Sequence, residues 1–393
     1  MHPVLSIGLY GVFLVLVLGG TLRMLFRGSA RTGKRRTMIL LLTALTLVPG
    51  VLPVLGAMLP DCAFKFFAQA AGNLWLGFLI YYSMVLIVLS LIALPVFAAV
   101  HRRRTGTCRM FPLISLIAGL IIFVFGLYHA QQPVRTEYDV TIEKSAGGIS
   151  DLKIVLIADL HMSVNSTPRM IERMVEKVNA EDPDAVLIAG DIFTSSYKGL
   201  RNPERYAEIL RGMKSKYGVF AVYGNHDVEE TLFGGFPISP ISQAFRTSEM
   251  ESFFSLCGFR VLYDEIAEIA DGTVLVAGRV DGEKAGDGTA LRKSAAELLE
   301  GSDLTKPVIV LQHEPVEFAA LEEAGADLAL CGHTHAGQIF PGNLIVPFFN
   351  ENAYGHKNVG GLDTIVTAGV GYYGPPMRVG TDSEVTVVHI HFT

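Results

Sequence analysis

Cysteine is scarce and unpatterned, with four residues, Cys62, Cys108, Cys257 and Cys331, in a chain of 393. Their spacing fits neither a disulfide framework nor a thiolate metal site, so they read as small buried hydrophobes. A Lys/Arg-rich face with interleaved aromatics is also missing after residue 133, and the formal net charge is -6. Both points argue against nucleic acid as a partner. Charge of either sign is nearly absent from long runs in the first 130 residues, whereas beyond Pro133 it returns at short intervals. The shift predicts two modules, a helical one over 1–130 and a second over 133–393.

A helix needs about 20 apolar residues to cross a bilayer. Four runs qualify: Val4 to Phe26, Met38 to Leu59, Leu74 to Val100 and Phe111 to Tyr128. The first is not read as a signal peptide, because no basic segment precedes it and no small-residue cleavage pattern follows. None of the runs carries a buried Asp, Glu, Lys or Arg that would mark an ion pathway, so the module reads as an anchor. Gly72, Gly77, Gly119 and Gly126 are candidate close-packing positions between helices. Basic residues are retained on the cytoplasmic side. Arg27, Arg31, Lys34, Arg35 and Arg36 lie in one loop, and Arg102, Arg103, Arg104 and Arg109 in another. Both loops then face the cytoplasm, and an even number of spans places everything after Ala130 outside.

Beyond Gly147-Gly148, short β-rich runs alternate with amphipathic helical stretches. Strands are predicted at Leu152 to Ile157, Ala185 to Ala189, Val219 to Val222, Thr273 to Ala277, Val308 to Leu311 and Leu328 to Leu330. Helices are predicted at Pro168 to Asn179, Pro203 to Met213, Glu249 to Leu256, Leu291 to Glu300 and Val316 to Ala324. Thr364 to Ala368 and Val385 to Phe392 read as an antiparallel closing pair, having no helix between them. The class is α/β, a two-sheet sandwich flanked by helices.

Reactive groups in such sheets sit just past the carboxyl ends of strands. Here those ends carry Asp159-Leu160-His161, Gly190-Asp191, Gly224-Asn225-His226-Asp227, Gln312-His313-Glu314 and Gly332-His333-Thr334-His335. Each element alone is an ordinary turn residue or structural histidine. Together they offer oxygen and nitrogen donors for two divalent transition metals, with Asp191 as the candidate shared ligand and no soft ligand for copper(I) or iron-sulfur chemistry. His389 and His391 alternate with apolar residues on the last strand and read as sheet-surface residues.

This series of motifs resembles the calcineurin-like metallophosphoesterase superfamily from about Pro133 to the end. The Gly-His-Thr-His-Ala-Gly-Gln run and the Gly369 to Arg378 stretch are similar to its bacterial membrane-associated branch, which includes lipid-phosphate and UDP-diacylglucosamine hydrolases. The resemblance implies that Asp159, His161 and His335 hold one cation, that Asn225, His313 and His333 hold the other, and that Asp191 bridges them. It implies manganese, with iron or zinc as alternatives, and leaves His226 unligated near the leaving group. In the protein Ser/Thr phosphatases of the superfamily the Gly-Asp motif continues to a second Asp and an Arg. This chain instead reads Gly190-Asp191-Ile192-Phe193-Thr194-Ser195, which argues against a phosphoprotein substrate and leaves open what orients His226.

Two cations about 3.5 to 4 Å apart lower the pKa of a bridging water and clamp phosphoryl oxygens for in-line attack, with no covalent intermediate required. His226 is then the candidate to protonate the departing oxygen. Arg378, after Pro375-Pro376-Met377, is either a phosphate contact or a surface arginine. Two loops near the motifs are unusually apolar, Leu232 to Ile238 and Ile339 to Phe349. They either tuck into the core, or line an acyl-chain groove or dip into the bilayer beside the metal site, with Phe233, Phe236 and Phe348 as candidate contacts. The expected substrate is a membrane lipid or lipid-linked phosphate, cut at a phosphoester or pyrophosphate bond. Two alternatives stand beside it: an anchored phosphodiesterase for soluble nucleotides, and a non-catalytic metal-binding sensor. Oligomeric state is not set by the sequence.

Overall fold

The computed structural model describes residues 3–26, 32–99 and 105–393. They fall into two compact units. One comprises the chain up to Tyr128 together with Thr231–Ser239 and Gly374–Met377; the other comprises His129–Glu230, Pro240–Tyr373 and Arg378–Thr393.

The first unit is built on α1 (Pro3–Phe26), α2 (Gly33–Met58), α3 (Ala63–Ala99) and α4 (Thr105–His129). All four contain segments long and apolar enough to cross a membrane, at Leu5–Phe26, Gly33–Met58, Ala63–Ala93 and Met110–His129. Close approach is possible where side chains are missing: a Cβ on Gly72 would meet the backbone of Pro53, and one on Gly119 the backbone of Tyr82. Polar groups are spent inside the unit, Tyr10 donating to the carbonyl of Gly50 at 2.9 Å and Thr21 pairing with Tyr82 at 2.7 Å. Of the basic loop residues, Arg27, Arg31, Arg102, Arg103 and Arg104 lie outside the described residues.

The second unit is a four-layer sandwich. Its first sheet contains β1 (Val134–Ile142), β2 (Asp151–Ile157), β3 (Ala185–Ala189) and β4 (Val219–Val222). The chain then forms a two-stranded hairpin of β5 (Leu232–Phe233) and β6 (Phe236–Pro237), which belongs with the helical unit. Next come β7 (Arg260–Val261), β8 (Glu265–Ile269), β9 (Val274–Gly278), β10 (Val308–Leu311), β11 (Leu328–Cys331), β12 (Gly355–Val359), β13 (Leu362–Val366) and β14 (Glu384–Phe392). The orders are β1-β14-β2-β3-β4-β7 and β12-β13-β11-β10-β9-β8. The central β2-β3-β4 and β9-β10-β11-β13 runs are parallel. Their uniformly apolar sequences follow from burial on both faces.

Period-two alternation sorts the side chains into layers. Ile154 and Leu156 join Leu187, Val276, Ile309, Leu330 and Val388 between the sheets. Val155 and Ile157 turn the other way, against helices α5 (Pro168–Ala180), α6 (Pro203–Arg211) and α7 (Ser248–Cys257). On the far side, α8 (Ala295–Leu299) and α9 (Phe318–Glu323) cover the second sheet through Leu298, Phe318 and Leu321.

The closing antiparallel pair expected from the sequence does not form. β13 lies in the second sheet, parallel to β11 and antiparallel to β12, while β14 crosses to the first sheet between β1 and β2. The segment between them, residues 367–383, therefore bridges the two sheets at the end where the strand exits gather. β1 and β12 were not anticipated. Both are edge strands rich in polar and charged residues, the composition that blunts sheet edges and weakens a strand pattern.

Candidate metal centre

Every candidate ligand leaves a strand at its carboxyl end, and most do so at backbone cost. Asp159, His161, Asp191, His333 and His335 all have positive φ, between 45° and 75°. For residues with a Cβ this left-handed region is strained, and such strain concentrates at functional sites. The hydrogen-bond ladder continues past the strand ends to hold these turns, with Asp159 N–H donating to Gly190 O, His161 N–H to Asp191 O and Gly332 N–H to His313 O, each at 3.0 Å. Glycines let the exits approach one another. Gly190 has φ +81°, where a Cβ would lie 2.6 Å from the Gly224 nitrogen, and a Cβ on Gly224 would strike the Asp191 carboxylate at 2.1 Å.

The side chains converge on two adjacent points. At the first, His161 Nε2 and His335 Nε2 are 3.0 Å apart, with Asp159 Oδ1 at 3.8 and 3.5 Å from them. At the second, His313 Nε2 lies 3.1 Å from Asn225 Oδ1 and 3.2 Å from His333 Nδ1. Asp191 Oδ2 sits between, 3.4 Å from His161 Nε2 and 3.1 Å from His313 Nε2. His161 and His335 turn the same ring nitrogen at each other, and His313 offers one nitrogen to three neighbours, so protons alone cannot satisfy the cluster. A hard or borderline cation at each point does satisfy it, and the oxygen and imidazole donors suit a divalent transition metal. Within the groups Asp159–His161–His335 and Asp159–Asp191–His313 the donor atoms all lie within 4.8 Å of one another.

A calcineurin-like phosphoesterase family profile matches residues 152–337, which contain all seven of these side chains. An uncharacterized metallophosphoesterase of Aquifex aeolicus is 30% identical over 257 residues, covering 65% of this chain and 90% of that protein. The chain belongs to the calcineurin-like metallophosphoesterases. It is also similar to the transmembrane protein with metallophosphoesterase domain of Danio rerio, 30% identical over 291 residues, covering 70% of this chain and 61% of the relative. The counterpart of that name in Bos taurus is 29% identical over 303 residues, 72% of this chain and 63% of the relative. The chain thus spans less than two thirds of either vertebrate protein.

Around this metallophosphoesterase cluster, burial sets the charge states. Burial pushes the Asp159 carboxyl up to about 7 and the His161 and His333 imidazoles down to about 4. At Asp191 burial acts upward too, but His313, His226 and His161 outweigh it and hold the carboxyl well below its ordinary range. Its partner moves the other way: burial lowers His313, yet Asp191, Asp159 and Asp281 together carry it well above. Asp227, which burial pushes up to about 7, braces the frame by accepting the N–H groups of Asp191, Phe193 and Gly224, each at 2.9 Å.

Arg378 is not where the sequence reading put it. It has no exposed surface. Its Nε donates to Gly371 O at 2.9 Å, Nη2 to Ala368 O at 2.6 Å and Gly371 O at 2.8 Å, and Nη1 to His335 O at 3.3 Å. Those carbonyls consume its donors, so the guanidinium braces the His335 turn from behind and is not free to bind a phosphate. Phe233 is also reassigned. It is buried in the helical unit, its ring 5.3 Å from that of Tyr10 in an edge-on contact, so it packs and does not line an open groove. Phe236 is about one-third exposed and Phe348 is 84% exposed.

The sequence reading missed four residues. Ser195 Oγ lies 2.9 Å from His226 Nδ1 and donates to Glu230 Oε2 at 3.1 Å; Lys284 Nζ donates to the same oxygen at 2.9 Å. Tyr373 covers the rings, its centroid 4.6 Å from His226 and 5.4 Å from His161. No motif announces these residues, because none of them is a metal ligand type at a strand exit.

Proposed function

We propose that the chain is a membrane-anchored, dimetal phosphohydrolase that cleaves a phosphoester or pyrophosphate bond of a lipid-linked substrate at the membrane surface. The observation that carries the hydrolytic reading is the placement of Asp191 Oδ2 within 3.4 Å of one imidazole nitrogen from each half of the cluster. Asp159, His161 and His335 would hold one divalent cation, Asn225, His313 and His333 the other, and Asp191 both. When bound, such a pair supplies an activated water and neutralises phosphoryl oxygens. The protein's own residues do the rest. Asp191 Oδ1 accepts the backbone N–H of His226 at 2.8 Å, fixing that residue to the shared ligand. Burial holds the free His226 imidazole well below its ordinary pKa, although Asp191 opposes it. A phosphate anion brought beside the ring raises that pKa, so substrate binding itself prepares His226 to protonate the leaving oxygen. Tyr373 covers the ring, its centroid 4.6 Å from that of His226.

The lipid reading is supported by four apolar helices of spanning length and by an uncharged segment just after His335. There Leu344, Ile345, Phe348 and Phe349 are all exposed, the two phenylalanines above 80%. An exposed apolar patch of this kind marks an interaction surface. Lys34, Arg35 and Arg36 in the first turn of α2 support a cytoplasmic loop and an extracytoplasmic hydrolase domain. Manganese-loaded full-length protein should hydrolyse a long-chain lipid phosphate or pyrophosphate faster than the same headgroup on short acyl chains. Equal rates would remove the lipid part of the proposal. A reporter fused after Thr393 should read as extracytoplasmic.

A further inference from the structure

His226 is held by a chain of side chains that no ligand motif predicts. Three backbone features prepare it. Ser195 has φ +46°, a strained conformation for a serine. Its N–H donates to His226 O at 2.9 Å, and Glu230 N–H donates to Ser195 O at 2.9 Å. The three residues are therefore locked to one another before their side chains meet. All of them are buried, and so is Lys284.

We propose that Ser195, Glu230 and Lys284 are positioning residues that fix which nitrogen of His226 carries the transferable proton. The inference rests on the hydrolytic reading above and deepens it. A serine hydroxyl has one proton. That proton goes to Glu230 Oε2, at 3.1 Å, and Lys284 Nζ, donating to the same oxygen at 2.9 Å, keeps the carboxylate turned towards Ser195. Ser195 Oγ can then only accept from His226, so Nδ1 at 2.9 Å bears a hydrogen. Nε2 is left as the nitrogen that exchanges a proton with the reacting group. Thr194, the neighbouring hydroxyl, makes no contact of this kind with His226; it donates to His161 O at 3.0 Å and lies 3.3 Å from His161 Nδ1. Each of two adjacent hydroxyl residues thus attends a different histidine, one in the metal cluster and one beside it. During the reaction the oxygen of a water forms the new bond to phosphorus while the bond to the leaving oxygen breaks, a proton moves from His226 Nε2 to that leaving oxygen, and Nδ1–H stays on the ring throughout.

The test uses full-length, manganese-loaded protein and aryl methyl phosphodiesters whose phenols span a range of pKa. A good leaving group needs no proton, whereas a poor one does. Ser195→Ala should lower kcat by about tenfold to a hundredfold on the poorest leaving group and hardly at all on p-nitrophenol. KM and the content of two metals should be unchanged, and Ser195→Thr should restore the rate. A loss that is the same across the series would overturn the proposal, as would no loss. Should Ser195→Ala fail to fold or to retain metal, Glu230→Gln puts the same question one bond further from the ring. A readout without turnover separates this proposal from the hydrolytic one. In 15N-histidine spectra, with the peak assigned by its loss in His226→Gln, the wild type should show the proton on Nδ1 and Ser195→Ala a mixture of tautomers. An Nε2–H tautomer in the wild type would sink the positioning chain even in a protein that hydrolyses every ester offered.

Discussion

The two six-stranded sheets of the hydrolase unit are equal in size and unequal in chemistry. The first, through the exits of β2, β3 and β4, contributes every oxygen donor of the cluster together with His161 and His226; the second, through β10 and β11, contributes three imidazoles. Each set is oriented by the other sheet's backbone. The Asp159 carboxylate accepts the N–H of His333 at 3.0 Å, and His313 Nδ1 lies 2.7 Å from the carbonyl of Ala189. Neither sheet holds half of a working centre on its own. The ligands are placed only when the apolar layer between the sheets closes.

The strongest way to break this complementarity is at the residue both halves share. Asp191→Asn removes the carboxylate that sits between the two points, 3.4 Å from His161 Nε2 and 3.1 Å from His313 Nε2, and it should cost activity on the order of 10⁴-fold, as for residues that act as a unit. Elemental analysis should show fewer than two metals per chain. A protein retaining both metals and most of its activity would mean that the two halves bind independently. Arg378 tests the bracing of the second sheet's His335. It donates to the carbonyl of His335 and to those of Ala368 and Gly371, so Arg378→Met should weaken metal binding by about 10- to 100-fold, the usual effect of losing an outer-shell partner. A competition titration with a chelator reads it directly.

Much of the first sheet's share of the centre was legible in sequence because each ligand follows a short apolar strand, often with a glycine marking the turn. The second sheet's histidines were legible for the same reason. What escaped were relations between distant segments. Arg378 sits in a loop of glycine and proline that reads as surface, and only the return of residues 367–383 from one sheet to the other buries it against His335. Ser195, Glu230 and Lys284 are ordinary polar residues separated by 35 and 54 positions, and nothing local distinguishes them from solvated ones. The supposed pairing of the last two strands failed for a related reason. Strand propensity carries no address, and partner choice was decided by which apolar layer each strand completes.

The exposed apolar segment after His335 sharpens the comparison from outside, since it follows the second sheet's ligands directly and carries the two most exposed phenylalanines among the described residues. Phe348→Ser with Phe349→Ser should leave the metal content and the hydrolysis of a short-chain soluble ester unchanged. The same pair should raise the apparent KM for vesicle-borne substrate about tenfold, because about 1.4 kcal/mol is no more than one phenylalanine's burial is worth. A change in both substrates alike would place the phenylalanines in folding and not in membrane contact.

The smallest effect is expected at the opposite end of the first sheet, where histidines experience the reverse environment. His391 on β14 stands opposite Asp151 at the amino end of β2, is exposed, and contacts Asp139 as well. Hydrogen bonds donated to Asp151 and then to Asp139 raise it above its ordinary 6.5, whereas burial drops His161, at the carboxyl end of the same sheet, to about 4. A raised histidine stabilises the fold in its charged form, so the contribution is present below pH 6.5 and fades as the pH rises through the folded pKa. Solvent screening keeps it small. Asp151→Asn should return the His391 pKa towards 6.5 in a histidine-detected titration and flatten the pH dependence of Tm above pH 6.5, while leaving metal content untouched. If that substitution changed the cluster instead, the two ends of the sheet would be coupled, and the division of labour between sheets would have to be redrawn as one along the strands.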